Sequence, residues 1–104
     1  MLQKIFCVYD SKSKAYLNPW FLPNAEMAKR SFADSVNTPD RNPISLHPED
    51  YVLYEVGVFD SDSGIIQHVD PHVNHGTGIS FYQEKQLAAQ DLLEYIQQLA
   101  NDKH

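Results

Sequence analysis

The strongest pattern in the chain is an apolar run over residues 51–59, which lies between His47-Pro48-Glu49-Asp50 and Asp60-Ser61-Asp62-Ser63-Gly64. Alternate residues of a strand point to opposite faces, and here both sets are largely apolar. A strand that is apolar on both faces is typical of the interior of a sheet. Gly64 suits a left-handed turn position, so the pattern predicts a hairpin that continues into a partner strand over residues 65–69.

Two further strands are predicted near the start of the chain. Residues 2–9 carry apolar side chains on both faces, which again indicates an interior strand. A polar turn over residues 10–14 leads into a second strand over residues 16–22. Pro19 has no amide hydrogen to donate, so this second strand should lie at an edge of the sheet or be broken by a bulge.

Two segments have the hydrophobic period of a helix. Asn24 is a suitable N-cap for the first helix, which Asn37 and the following Thr38-Pro39 should end. Residues 80–83 have the spacing of a capping box, so the second helix is predicted to begin at Ser80, with a frayed end over residues 101–104. The apolar faces consist of Ala25, Ala28, Phe32 and Val36 in the first helix and Phe81, Ala88, Leu92, Tyr95, Ile96 and Leu99 in the second.

Residues 38–50 and 70–78 lack a clear period and are predicted to be irregular. The fold class is therefore α+β: an antiparallel sheet of about four strands, one helix after the first hairpin, and a C-terminal helix packed on the sheet or on a partner. A chain of 104 residues forms one domain over residues 1–104. Residues 1–80 make up its core, and residues 81–104 form the C-terminal helix and tail.

Charge and composition exclude several classes of protein. The net charge of −6 argues against a protein coated in nucleic acid. The distribution is uneven, with six cations and four anions through Arg41 but two cations and ten anions after it. No stretch is long enough to suggest a transmembrane helix, and no signal peptide is evident. Cys7 is the only cysteine, so we expect a buried thiol, no internal disulfide and a reducing compartment such as the cytoplasm.

Three groups of residues resemble metal or catalytic sites without completing one. His68, His72 and His75, with Asp70 between them, match no known spacing of metal ligands. The segment 60–64 resembles the start of a calcium loop, but its glycine comes one position early and no glutamate follows at the twelfth position. We therefore expect no metal and no other cofactor.

His47, Glu49 and Asp50 offer an acid and a base close together, as general acid–base catalysis requires. The sequence supplies no nucleophile, no phosphate-binding glycine loop and no third orienting group beside them. A turn before a strand accounts for the same residues. We therefore expect a protein that is not an enzyme.

The first forty residues combine cations with four aromatic side chains, those of Tyr9, Tyr16, Trp20 and Phe21. Single-stranded nucleic acid requires this combination because bases stack and phosphates need neutralising. An alternative is that the aromatic residues pack the core and the lysines are simply solvated. Arg41 either touches a ligand or lies in a segment that only connects two elements. The candidate nucleic-acid-binding residues are Lys12, Lys14, Tyr16, Trp20, Lys29, Arg30 and Arg41.

Several motifs of the chain have a specific order and spacing. They are Tyr9-Asp10-Ser11-Lys12, then Tyr16 with Pro19-Trp20-Phe21, the helix spacing from Arg30 to Asn37, and above all the segment from His47 to Asp60 with Gly64. Together they resemble the small non-structural protein of gokushoviruses and related microviruses, which are bacteriophages with single-stranded DNA genomes. Trp20 replaces a phenylalanine that is common in that family, and the C-terminal helix is longer than expected. The resemblance implies a non-enzymatic DNA-binding or replication-accessory protein that assists the shift to single-strand synthesis and packaging.

Two functions therefore stand as hypotheses. The first is single-stranded DNA binding in the cytoplasm of an infected bacterium. The second is a protein–protein adaptor whose acidic C-terminal half binds a viral or host replication or assembly factor. A homodimer is expected because residues 88, 92, 95 and 99 have the 4-3-4 spacing of a helix–helix seam. No membrane association is expected.

Overall fold

The fold is an antiparallel sheet with helices packed on one of its faces. A computed structural model describes the backbone of residues 1–101, with all of their side chains except those of residues 83–92 and 95. The strands are β1 (Leu2–Asp10), β2 (Ala15–Tyr16), β3 (Trp20–Leu22), β4 (Tyr51–Asp60) and β5 (Ile65–Thr77); the helices are α1 (Ala25–Asn37), α2 (Pro43–Leu46) and α3 (Gly78–Asn101), with a 3₁₀ turn at Pro48–Asp50. The predicted α+β class is confirmed.

The strand order is β2-β1-β4-β5, with β3 also paired to β1, and all pairs are antiparallel. The two strands predicted to be interior, β1 and β4, both have neighbours on each side. The predicted strand over residues 16–22 is interrupted at residues 17–19, so the sheet has five strands. The break includes Pro19, in agreement with the missing amide hydrogen of proline.

The hydrophobic core lies between α1 and one face of the sheet. Its buried residues are Phe6, Val8, Ala28, Phe32, Val36, Tyr51 and Leu53. The Asn24 side chain caps α1 by accepting a hydrogen bond from the amide of Met27 at 2.9 Å, as predicted. The first turn of α3 joins this core through Phe81, whose ring centroid lies 5.5 Å from that of Phe32.

Residues 38–50, predicted to be irregular, instead contain α2 and the 3₁₀ turn. Asn42 and Ser45 form a reciprocal capping box: the Asn42 side chain accepts from the Ser45 amide at 3.0 Å, and the Ser45 hydroxyl accepts from the Asn42 amide at 3.1 Å. Pro43 occupies the first turn, where its missing amide hydrogen costs nothing. A four-residue helix is too short to produce a hydrophobic period, which is why the pattern did not reveal it.

The prediction that residues 70–78 are irregular is also wrong. β5 continues to Thr77 because residues of β4 pair with it along most of its length, including Tyr54 with Asn74 and Val52 with Thr77. Two register shifts absorb the mismatch between the strands. α3 then begins at Gly78, two residues before the predicted start. A Cβ at this glycine would overlap the carbonyl oxygen of Pro48, so close packing on the 3₁₀ turn requires glycine here.

The far end of α3 carries exposed apolar side chains, namely Leu93, Ile96 and Leu99. Ala88, Leu92 and Tyr95, predicted to share their stripe, lie outside the side chains that the structure describes. Residues 102–104 of the predicted frayed end also lie outside the described chain. Among the described residues, no helix has both the length and the apolar character needed to cross a membrane.

Candidate nucleic-acid interface

The two faces of the sheet have different surroundings. Alternate residues of β1 point to opposite faces, and Phe6 and Val8 lie in the core beneath α1. Ile5, Cys7 and Tyr9 therefore lie on the other face, which we call the open face. Cross-strand pairing assigns further residues to it. Its residues on the first four strands are Gln3, Ile5, Cys7, Tyr9, Tyr16, Phe21, Val52, Tyr54, Gly57 and Phe59.

Four rings form a continuous aromatic surface at one end of the open face; we call it the tyrosine–histidine cluster (Tyr9, Tyr16, Tyr54 and His72). The Tyr16 ring centroid lies 4.8 Å from that of Tyr9, 6.1 Å from Tyr54 and 5.7 Å from His72. The Tyr16 hydroxyl and His72 Nδ1 are within hydrogen-bonding distance at 3.4 Å. Tyr16 is 48% exposed and His72 is also exposed, so the cluster presents ring surface to solvent.

A second aromatic contact lies at the other end of the open face; we call it the phenylalanine pair (Phe21 and Phe59). Their ring centroids are 5.7 Å apart in an edge-to-face arrangement, and Phe21 is 44% exposed. Phe21 pairs with Ile5 across the strands, and Ile5 is buried. Cys7 lies between the two aromatic groups along β1. Burial raises the pKa of its thiol, so the floor of the face is neutral at pH 7.

The turn between β1 and β2 places two exposed cations, Lys12 and Lys14, beside the tyrosine–histidine cluster. Asp10 holds this turn, since its Oδ1 accepts from the amides of Lys12 at 3.0 Å and Ser13 at 3.3 Å. Ser11 ties the turn to the sheet because both its amide and its hydroxyl donate to the carbonyl of Asp50 at 2.9 Å. The backbone is thus fixed while the lysine side chains extend into solvent.

The opposite end of β1 is acidic. Asp60 and Asp62 lie 3.6 Å and 2.6 Å from the N-terminal amine, which offsets part of their charge. A hydrogen bond from the amide of Asp62 lowers the pKa of Asp60, and the N-terminal amine lowers it further. The open face therefore has a net cationic end at the lysine turn, where two lysines outweigh Asp10, and an acidic end beside the phenylalanine pair.

The predicted site residues divide between the two sides of the sheet. Lys12, Lys14 and Tyr16 come together at the open face, whereas Trp20 lies on the helix side with its ring centroid 6.1 Å from that of Phe6. The indole nitrogen of Trp20 is buried without a hydrogen-bond partner among the described residues. Trp20 and Arg30 line a cleft of about 290 Å³ between β3 and α1.

The other predicted cations also lie away from the open face. Lys29 is on α1 and pairs with Glu26 at 3.5 Å, one turn earlier in the helix. Arg41 is exposed in the connection before α2. The predicted interface therefore does not form one continuous surface.

Two aromatic residues of the open face, Tyr9 and Phe21, belonged to the predicted aromatic group but not to the list of candidate binding residues; Tyr9 pairs with Tyr16 across the predicted turn. Three further residues of this face were absent from the predicted aromatic group: Tyr54, His72 and Phe59. Tyr54 and His72 join these rings only through long-range pairing between strands, for which the sequence carries no register signal.

The histidines considered as metal ligands point in different directions. His72 belongs to the open face, whereas His75 lies on the helix side and its Nε2 is 3.0 Å from Oε1 of the buried Glu55. Lys4 Nζ also approaches Glu55, at 3.5 Å. His75 and Glu55 thus satisfy each other in the protein interior.

Within the described part of the chain, potential metal ligands converge at His47, Glu49 and Asp50, with ligand atoms within 4.8 Å of one another. His47 Nδ1 lies 3.8 Å from Oε1 of Glu49, and both side chains are more than half exposed. Water competes freely for such ligands, and exposed acidic groups are common without an ion. The arrangement is that of a solvated turn before β4.

A sequence model of the family described as "Phage ORF5 protein" matches residues 3–81. The matched segment includes all five strands except Leu2 of β1, together with α1, the lysine turn and the open-face residues listed above. Most of α3 lies beyond it. No curated protein and no solved structure gives a significant match to the chain.

Proposed function

The chain belongs to the Phage ORF5 protein family, and from this premise we propose that it is a non-structural phage protein that binds single-stranded DNA. It would assist the synthesis or packaging of viral single strands in the cytoplasm of the host bacterium. Under this proposal it acts by binding alone, without catalysis and without a cofactor.

The observation that carries the proposal is the exposed tyrosine–histidine cluster beside Lys12 and Lys14. Unpaired bases stack on aromatic rings, and the two ammonium groups can neutralise phosphates at the same end of the face. A duplex hides the faces of its bases, so exposed aromatic ring surface favours a single strand. The register places no aspartate or glutamate among the open-face residues of the first four strands, although Asp70 of β5 stands two residues before His72 and the whole chain carries a net charge of −6.

The helix-side cations are weaker candidates for contact with DNA. Lys29 already pairs with Glu26, and Arg30 lines the same cleft as Asp34. A phosphate approaching either cation would also meet the neighbouring carboxylate. Trp20 presents less free ring surface than Tyr16, because it packs against Phe6 and the core.

Binding of a labelled oligonucleotide at several salt concentrations tests the proposal. Tyr16→Ala should weaken binding by about 1–3 kcal/mol, or roughly five- to a hundredfold, through the loss of stacking. Removing both lysines, with Lys12→Gln and Lys14→Gln, should lower the salt slope by about 1–2, since fewer counterions are released.

The matched control is the pair Lys29→Gln and Arg30→Gln, which removes the same charge from the helix side. This pair should change affinity less than the turn pair and should leave the effect of Tyr16→Ala intact. An equal loss from both pairs would contradict the choice of the open face. The absence of any binding at low salt would contradict single-stranded DNA binding altogether.

A second candidate is a protein–protein adaptor, which the exposed apolar side chains on the last turns of α3 favour. Leu93, Ile96 and Leu99 recur every three residues, and Leu93 is 58% exposed. Such exposed apolar side chains often mark a protein contact. If the oligonucleotide assay is negative, Leu93→Gln with Ile96→Gln should abolish association with a purified viral or host replication protein.

A further inference from the structure

We infer that a bound single strand contacts the open face at two separate stacking stations, running along β1 from the tyrosine–histidine cluster to the phenylalanine pair. This inference rests on the proposed function, and it names the path and the kind of ligand that the face accepts. The ligand is a run of several unpaired nucleotides, longer than a single base or a dinucleotide.

The distance between the stations follows from the strand register. Tyr16 pairs with Tyr9, and Phe21 pairs with Ile5, so the stations are four residues apart on β1. At about 3.3 Å per residue this is about 13 Å. One stacking step along a nucleic-acid strand is about 3.4 Å, so two adjacent stacked bases cannot reach both stations.

The β1 residue between the stations carries no charge. Cys7 lies there and is 8% exposed, so neighbouring side chains cover this small, neutral residue and a bound strand would pass over them. Tyr54 pairs with Cys7 across the strands and connects the floor to the first station. Beneath the second station, Ile5 packs so closely on β4 that a Cβ at Gly57 would lie 3.2 Å from its Cδ1. Both stations therefore lie on the same tightly packed part of the sheet.

The two stations differ in charge, so their contributions to binding should depend differently on the salt concentration. Lys12 and Lys14 flank the first station, so binding there releases counterions and depends on salt. The second station has Asp60 and Asp62 nearby, held by the N-terminal amine, and its two rings carry no charge. Its contribution is therefore stacking with little dependence on salt. Phenylalanine rings also have no hydrogen-bonding group, so this station should accept any base.

The test measures the affinity of oligothymidylates from about three to twelve nucleotides long for the full chain and its variants, at two or more salt concentrations. Phe21→Ala should weaken binding of the longer oligonucleotides by roughly five- to a hundredfold, the range for loss of one stacked base. It should leave the affinity for the shortest oligonucleotide and the salt slope of binding unchanged. Phe21→Leu keeps apolar bulk without a ring and should show the same loss, which separates stacking from folding.

Leu46→Ala is the matched control, because Leu46 is a similarly exposed apolar residue on α2, and it should bind like the wild type at every length. Circular dichroism verifies that each variant is folded. If the Phe21 variants bind long oligonucleotides normally while Tyr16→Ala still weakens them, the second station is overturned and the proposed function stands. An equal loss of affinity at every oligonucleotide length would also overturn the second station. If the wild type binds no oligonucleotide, both fail.

Discussion

Tyr16 and Trp20 are four residues apart at one edge of the sheet, yet they face opposite sides of it. Tyr16 pairs with Tyr9, and Trp20 pairs with Phe6. The amide of Leu17 still donates to the carbonyl of Val8, at 2.8 Å. One extra residue therefore enters this edge between Leu17 and Trp20, and a single extra residue reverses the side to which every later side chain points.

We expect Trp20 to behave as a residue of the core. Its fluorescence should be blue-shifted and should not change when an oligonucleotide binds, because it packs against Phe6 on the helix side. Trp20→Ala should lower the melting temperature, as the loss of a packed tryptophan does. If an oligonucleotide quenched the fluorescence of Trp20 without changing the fold, Trp20 would instead be a residue of the binding site.

Asp60 should contribute to stability in a pH-dependent way. Its pKa in the folded protein is below the ordinary value of 3.8, because the amide of Asp62 donates to its carboxylate. The contribution is complete above pH 3.8 and is lost as the pH falls through the lower folded value. The difference in melting temperature between wild type and Asp60→Asn should therefore shrink from pH 5 to pH 2. A difference that stays constant would contradict this role.

At the level of elements, α1 is the part that the sequence predicted most fully. Its cap at Asn24 and its last residue, Asn37, agree with the structure, as do its three buried residues Ala28, Phe32 and Val36. A capping side chain and the period of apolar residues are local features, so they can be read before the fold is known.

Phe32 anchors α1 to the sheet and to the start of α3. It is 2% exposed and contacts Phe81 edge-to-face. Phe32→Ala should cost on the order of 3–5 kcal/mol, which approaches the whole stability of a small domain. Urea unfolding followed by circular dichroism measures this cost. Met27→Ala, at an exposed position of the same helix, is the control and should change stability little. An unchanged midpoint for Phe32→Ala would contradict the placement of α1.

At the scale of the whole molecule, a homodimer would bury the same exposed apolar side chains of α3 that favour an adaptor. Exposed apolar residues on α3 and the edge of β5, which pairs with no further strand among the described residues, both offer surfaces for a second copy. We expect sedimentation at high micromolar concentration to give a dimer, and Leu93→Gln with Ile96→Gln to give a monomer of unchanged melting temperature. A wild-type monomer at that concentration would contradict the dimer.

The sequence by itself determined the α+β class, the interior positions of β1 and β4 and the position of α1, and it limited the strand around Pro19 to an edge position or a break. These features depend on neighbouring residues: the alternation of apolar side chains, the missing amide hydrogen of a proline, and a capping asparagine. The sequence also located the cationic turn with Lys12 and Lys14, because charged residues can be identified from the sequence alone.

Only the tertiary structure decided which aromatic side chains lie together. Tyr9, Tyr16, Tyr54 and His72 come from four strands, and their proximity depends on the register between strands far apart in sequence. The extra residue before Trp20 moved that side chain to the core, and pairing with β4 extended β5 to Thr77. Strand register depends on hydrogen bonds and packing between distant segments, and no local pattern of apolar and polar residues specifies it.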